Sequence, residues 1–373
     1  MEKTENTGET RVDVADQWKL MWWRFRKHKL ALGSGVLVIL IYLVALMADF
    51  LAPYASTSYI AESKNMPPQR LRFLRTGDDG KKVFGPFVYG YAMTINPASL
   101  RREFVQDTNR VIPVKFFGKG ETYRMWGLFK TRRHFITPAD GIGPMYLFGG
   151  DSMGRDLMSR VIHGTRVSMS IGLIGVIISL FLGILLGGIS GYYGGAIDNL
   201  IQRLTEFLRS IPTIPLWMGL AAAIPLSWPP LRVYFAITLI LSLIQWTGLA
   251  RVVRGKFFAL KTEDFVTAAR LDGCGEIRII MHHMVPSFIS HIIASVTLSI
   301  PGMILSETSL SFLGIGLRPP VVSWGVLLQE AQNIRSIAAC PWLLFFPGVS
   351  VVIAVLALNF LGDGLRDAAD PYD

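Results

Sequence analysis

Six stretches of this chain are apolar and nearly free of charge over about the 20 residues that a helix needs to cross a bilayer core of about 30 Å. They run over 30–48, 167–189, 211–226, 233–250, 288–305 and 342–361. The third is the shortest and carries Pro212, Pro215 and Pro225, so it is expected to begin earlier, near Leu204, as a kinked helix. The pattern predicts an all-α polytopic membrane protein with six transmembrane helices. Composition agrees, because 51% of the 373 residues are hydrophobic and only 17% are charged, against about 25% in soluble domains.

Arg24, Arg26, Lys27 and Lys29 precede the first run and are expected to hold residues 1–29 in the cytoplasm. A long polar leader before an apolar run of more than signal-peptide length marks the first helix, set at 30–52, as an uncleaved anchor. Six crossings return the chain to the cytoplasm, where residues 362–373 form a tail. Loop charges fit this topology: the inner 251–286 loop holds Arg251, Arg254, Lys256, Lys261, Arg270 and Arg278, and the outer 306–341 loop holds Arg318 and Arg335. Cys274 and Cys340 then fall on opposite sides and cannot pair, and two cysteines make no cysteine-rich metal cluster.

The formal charge of +10 is concentrated in one segment. Residues 53–150 hold 15 basic and seven acidic residues, a net +8. Long segments translocate largely regardless of charge, so this one is expected outside as an extracytoplasmic insertion. Phe84, Phe87, Tyr89, Tyr91, Phe116, Phe117, Tyr123, Trp126 and Phe129 are expected to build its small core. Residues 111–117 and 122–129, joined by Gly118-Lys119-Gly120-Glu121, read as a β-hairpin. The charge is thus no nucleic-acid footprint; it predicts a basic outer surface facing an acidic protein or anionic lipid.

Within the spans, Gly175, Ser179, Gly183, Gly187 and Gly191 recur every four residues, a small-residue stripe suited to helix packing. Ser287, His291, Ser295 and Ser299 form a polar stripe at the same spacing, expected to look into the bundle or a wet cavity. His291 is either a pathway group or an interhelical hydrogen-bond partner; Glu307, past Pro301-Gly302, is either a pathway carboxylate or an interfacial residue. Gln245 is the polar candidate of the fourth span. In the inner loop, Thr262 can cap a helix whose first turn holds Glu263 and Asp264. Ala268 and Ala269 offer a close-approach surface, and Gly273 supplies the left-handed turn that ends the helix. A second amphipathic helix over 276–284 leads to Pro286, and the two short helices form a knob suited to a partner's groove.

Thr267-Ala268-Ala269-Arg270-Leu271-Asp272-Gly273, followed by twelve residues and Pro286, resembles the EAA loop of bacterial ABC-importer permeases. Three further blocks resemble the dipeptide/oligopeptide permease family, in particular its C-type subunit. These are Gly150-Asp151-Ser152-Met153-Gly154-Arg155-Asp156 with Ser159-Arg160 and Gly164; Glu307-Thr308-Ser309-Leu310-Ser311-Phe312-Leu313-Gly314; and Gly362-Asp363-Gly364-Leu365-Arg366-Asp367. The match covers 20–51 and 147–373, so the permease core is set at 151–361. The resemblance implies a MetI-like permease fold in the bacterial inner membrane and a half-channel paired with a homologous second permease. It also implies two ABC ATPase subunits docked on the EAA loop through Thr267, Ala268, Ala269, Arg270, Asp272, Gly273 and Pro286, and an extracytoplasmic solute-binding protein that delivers cargo. ATP and Mg belong to the ATPase subunits, and this chain is implied to bind no cofactor. Three positions depart from the family pattern: Thr267 stands at the glutamate position, His283 at the isoleucine position, and Gly150 replaces the threonine before Asp151. Peptides are the implied cargo, with opines, nickel chelates and oligosaccharides as alternatives.

Asp151, Arg155, Asp156 and Arg160 flank the second span on the outer side. They either meet the partner permease and binding protein or form a helix cap with local ion pairs. An enzymatic reading finds little support. No G-x-x-x-x-G-K-[ST] phosphate loop and no H-E-x-x-H is present, and His282 and His283 are adjacent, so on a helix they point apart. A receptor or scaffold with a basic outer module accounts for the +8 segment but not for the EAA loop.

Overall fold

The computed structural model describes residues 17–76, 82–95, 97, 102–139 and 143–369. The first 16 residues, the last four, and the cations Lys81 and Arg101 of the insertion lie outside the described residues. Among the described residues, five helices are long and apolar enough to cross a membrane: α2 (Lys29–Leu46), α3 (Leu157–Tyr193), α6 (Pro230–Leu260), α8 (Ile289–Phe312) and α10 (Trp342–Ala369). The remaining run is divided. An amphipathic α4 (Gly195–Ser210) breaks at Ile211, whose extended backbone is what a residue before proline prefers, and a ten-residue α5 (Thr213–Ala222) follows. Helix α1 (Gln17–Lys27) precedes α2, and α7 (Asp264–Leu271) and α9 (Trp324–Gln329) are short connectors.

Helix α3 packs most extensively on α6, and α10 bridges α2 and α8. The small-residue stripe explains the first contact. A Cβ on Gly187 would lie 2.4 Å from the Ala250 carbonyl oxygen, and one on Gly191 would lie 2.7 Å from that of Arg254. The stripe turns from α6 toward α8 at Gly175, which faces Met303, and Ser179 donates to the Ser242 carbonyl at 3.3 Å. Gly364 likewise meets Ala31, which joins the end of α10 to the start of α2, where Phe25, Ala31 and Ala368 are buried together. The two described ends therefore share one face of the bundle with α7, while the insertion and α9 occupy the other.

The insertion is a four-stranded antiparallel sheet, ordered β1 (Arg72–Thr76), β2 (Lys82–Ile95), β3 (Arg102–Phe116), β6 (Ile136–Pro138), with a separate hairpin of β4 (Lys119–Met125) and β5 (Phe129–Arg133). This corrects two expectations. The strand over 111–117 pairs with β2 and β6, not with the strand that follows it. The reason is local: Phe117 takes a left-handed φ of 54° and turns the chain out of the first sheet, and the second hairpin closes at Trp126-Gly127, both at positive φ, as a primed turn requires. The core of the sheet is Val88, Ile112, Val114, Ile136 and Met145. Of the nine aromatics expected to fill it, only Phe87 is buried, while Phe84, Phe116, Phe117, Trp126 and Phe129 are exposed.

Candidate functional site

The loop after α6 is a small folded wedge. Val266 and Ala269 of α7 are buried in one cluster with Phe257 of α6, Ile279 and Met284 of the following turns, and Phe288 and Ile292 at the root of α8. Thr267, Ala268 and Arg270 lie on the exposed side of α7. Helix α7 ends as its glycine requires: Gly273 sits at φ 75°, its N–H donates to the Arg270 carbonyl at 3.0 Å, and the Cys274 N–H donates to the Ala269 carbonyl at 3.0 Å. This pair of bonds is the Schellman closure, which a Cβ at the left-handed position opposes. Thr262, expected as the cap, does not serve: the residue flanking α7 is Glu263, without a side-chain cap bond, and the Thr262 hydroxyl turns back to the Ala259 carbonyl at 3.4 Å.

The expected second helix over 276–284 is one short turn, Glu276–Arg278, followed by a π-helical segment, Ile279–Met284. Pro286 accounts for the widening. It has no N–H to give and its ring crowds the carbonyl one turn back, and the Val285 N–H is displaced onto the Ile280 carbonyl. Two contacts invisible to periodicity fasten this wedge to the end of α3. The Arg270 guanidinium lies 5.3 Å from the Tyr192 ring centroid, and the Tyr193 hydroxyl donates to Glu276 Oε2 at 2.5 Å. Beside them Arg254 grips both Asp198 carboxylate oxygens at 2.6 Å, and these bonds hold the Asp198 carboxyl below the usual carboxylate range. Leu271, 83% exposed, and Ile277, 79% exposed, stand out from the wedge, and an open groove of about 840 Å³ runs past Ile277, Met281 and Tyr193.

On α8, His291, Ser295 and Ser299 are half-buried, and the Ser299 hydroxyl turns back to the Ser295 carbonyl at 2.8 Å. Gln245 is half-buried on α6, against Gly302 of α8. Glu307 differs from both earlier readings. Helix α8 continues past it to Phe312, and its carboxylate is fully buried among three hydroxyl donors, Ser323 at 2.7 Å, Ser311 at 2.8 Å and Ser168 at 3.3 Å. Ser168 in turn accepts the Trp324 N–H, and Ser323 caps α9 by accepting the Val326 N–H. Glu307 is therefore the pin that seats α9 on α3 and α8, buried within this chain.

The acidic and basic residues before α3 form a second buried joint, so the expectation of outer-face partner contacts is corrected at Asp151, Asp156 and Arg160, all buried. Arg160 donates to Asp151 and, at 2.6 Å, to Glu330; Arg155 reaches the same two carboxylates at 2.6 and 3.1 Å. Asp156 caps α3 through the Ser159 N–H and hydroxyl. Its second oxygen has no hydrogen-bond partner among the described residues, and burial pushes its carboxyl up to about 7. Gly154, at φ 83°, leaves no room for a Cβ against the Ile60 carbonyl. Glu330 is the partner that motif spacing did not reveal, 170 residues from Arg160.

These features define a polytopic helical membrane protein of the permease class, with a buried ion-pair joint ahead of α3 and an exposed wedge between α6 and α8. The chain belongs to the binding-protein-dependent transport system inner membrane components, whose family signature matches residues 159–372; the N-terminal membrane domain of oligopeptide transport permease C matches residues 16–68. It is 39% identical over 228 residues to the oligopeptide transport system permease protein OppC of Haemophilus influenzae, covering 61% of this chain and 71% of that protein. It is 37% identical to the dipeptide permease DppC of the same organism (62% and 76% covered) and 38% identical to OppC of Escherichia coli K12 (61% and 73%). A solved inward-facing MetNI methionine ABC transporter is similar over 57% of this chain and 98% of its own, at 17% identity and a TM-score of 0.44.

Proposed function

We propose that this chain is one half of the translocation pathway of an ABC importer for peptides, working beside a homologous second permease. Two ATPase subunits, which hold the ATP and Mg, dock on the wedge through Thr267, Ala268, Arg270 and Asp272, and a solute-binding protein delivers cargo to the insertion side. The wedge carries this reading. Its exposed face is available to a partner, while its buried face is packed into the roots of both α6 and α8. A push on α7 is thereby transmitted to the helices bearing Gln245, His291, Ser295 and Ser299, the pathway groups of this proposal. Gly273 and Pro286 set the two bends of the lever. Thr267 contributes no charge to the docking, so apolar contact at Leu271 and Ile277 supplies more of it. The apolar stripe Ile197, Leu200, Leu204 and Phe207 on α4, exposed in the single chain, suits the second permease. Both ends of the chain and the wedge are cytoplasmic.

Paired experiments test this. Gly273→Pro, in membranes, should abolish co-purification of ATPase subunits while the chain remains inserted, and Lys119→Cys should be labelled by an impermeant thiol reagent in intact cells. Undiminished co-purification argues against the docking site, and labelling only after lysis reverses the orientation.

A further inference from the structure

The β4–β5 hairpin carries chemistry that the transport reading leaves unused. Its tip is apolar and uncovered: Leu128 is 73% exposed and Trp126 47%, with Phe129 exposed beside them. Its strands bear cations paired in register against cations, Lys119 opposite Arg133 and Arg124 opposite Lys130. Like charges placed directly across a sheet repel, and neither Arg124 nor Lys130 has an acidic partner among the described residues. The hairpin's own acid, Glu121, is turned away: its carboxylate accepts the Ala55 N–H at 2.9 Å and the Ser58 hydroxyl at 2.7 Å.

The depth of the tip is fixed by the membrane helix beside it. The Trp126 indole N–H donates to the carbonyl of Leu46, the last residue of α2, at 2.9 Å. His134 fastens the hairpin one step further out, with Nδ1 2.6 Å from the Ala52 carbonyl and Nε2 2.9 Å from that of Glu121. Eighteen helical residues rise about 27 Å, close to the bilayer core, so the end of α2 marks its boundary. On α2 itself Ile39, Leu43 and Leu46 are exposed, the last being the residue that Trp126 meets.

We infer that the β4–β5 hairpin is a membrane-surface anchor: Trp126, Leu128 and Phe129 enter the interfacial layer, and Arg124 and Lys130 bind the phosphates of anionic lipids. Indole rings favour that layer, and cations within a Debye length of an anionic surface are attracted to it. The anchor ties the insertion to the bilayer edge and so fixes the angle at which its sheet stands over the bundle. The inference does not depend on which face is cytoplasmic or on the cargo, so its failure and that of the transport reading are separable.

The test uses the full-length chain in bilayers, with Cys274 and Cys340 replaced by serine and an environment-sensitive fluorophore attached to Leu128→Cys. Phe84→Cys, on the exposed strand β2, is the control. Brominated phosphatidylglycerol should quench the Leu128 site more than brominated phosphatidylcholine does, and neither should quench the Phe84 site. Arg124→Gln and Lys130→Gln should each lower the preference for phosphatidylglycerol by about fivefold. A Leu128 site that neither lipid quenches places the tip in water or against protein and overturns the anchor. Equal quenching by both lipids, unchanged in the Gln variants, overturns the anionic recognition.

Discussion

At the insertion end of the bundle, Asp151, Asp156, Arg160 and Glu307 are shut away from solvent and bound to one another or to hydroxyls, whereas at the wedge end Arg270, Asp272 and Glu276 stand exposed on short turns. Both groups belong to, or adjoin, blocks that resemble those of the permease family. The difference lies in what desolvation demands. A charge removed from water is costly unless it is paired, so the blocks at the insertion end read as joints that hold α3, α8 and α9 in one arrangement. The wedge keeps its charges exposed and buries apolar side chains, Val266, Ala269, Ile279 and Met284, leaving a face free for a partner.

The comparison breaks most readily at Arg160. Arg160→Ala leaves Asp151 buried without its main counter-charge and should cost about 3–5 kcal/mol. Arg270→Ala, at the exposed end, loses the contact with Tyr192 and should cost no more than about 1 kcal/mol. Thermal unfolding of the two purified variants measures both, and equal losses would erase the distinction between the ends.

Asp156 sharpens the comparison through pH. Its carboxyl is raised to about 7 by burial, against about 3.9 in an unfolded chain. The native state thus binds the extra proton: the stability Asp156 contributes is complete below pH 4 and is lost as pH rises through 7. Asp156→Asn keeps an oxygen for the Ser159 N–H and removes the titration. Its unfolding midpoint, relative to the parent, should rise steadily from pH 4 to pH 7.5; a constant difference would show that Asp156 does not titrate there.

A smaller effect is expected at the helix contacts. Gly187→Leu forces a side chain against the Ala250 backbone and should cost about 1–3 kcal/mol, read as a lower unfolding midpoint. Gly273→Ala strains one left-handed residue and should cost about 1 kcal/mol, while its neighbour Asp272→Ala should cost less. Reversal of that last order would mean that the turn closing α7 is not set by Gly273.

Much of this architecture was legible in the hydrophobic pattern, because apolar runs, small-residue spacing and a glycine after a short helix each impose a local rule. Five runs became long helices, the stripe on α3 became the contact with α6, and Gly273 took the left-handed turn. What stayed illegible was set by pairing at a distance. Nothing near Arg160 in the chain points to Glu330, and nothing near Glu307 points to Ser168. The aromatic residues of the insertion escape the sequence pattern for the same reason: aromatic content suggests a core, but the chain leaves the first sheet at Phe117 and carries Trp126 and Phe129 onto a separate, exposed hairpin. The Pro212 break likewise turned one expected span into an amphipathic helix and a short one: Ile211 before it takes an extended backbone, whereas Pro301 and Pro347 stay inside α8 and α10.

The central claim is that the exposed face of α7 is a docking surface and its buried face a lever. Ala268→Trp places a large ring on the exposed face without touching the cluster around Phe257. In vesicles containing the chain, its partner permease, both ATPases and loaded binding protein, the account predicts an unfolding midpoint within 2 °C or so of the parent's, corresponding to roughly 0.5 kcal/mol, together with loss of cargo uptake and of cargo-stimulated ATP hydrolysis. Uptake and stimulated hydrolysis at parental rates in that variant would contradict it.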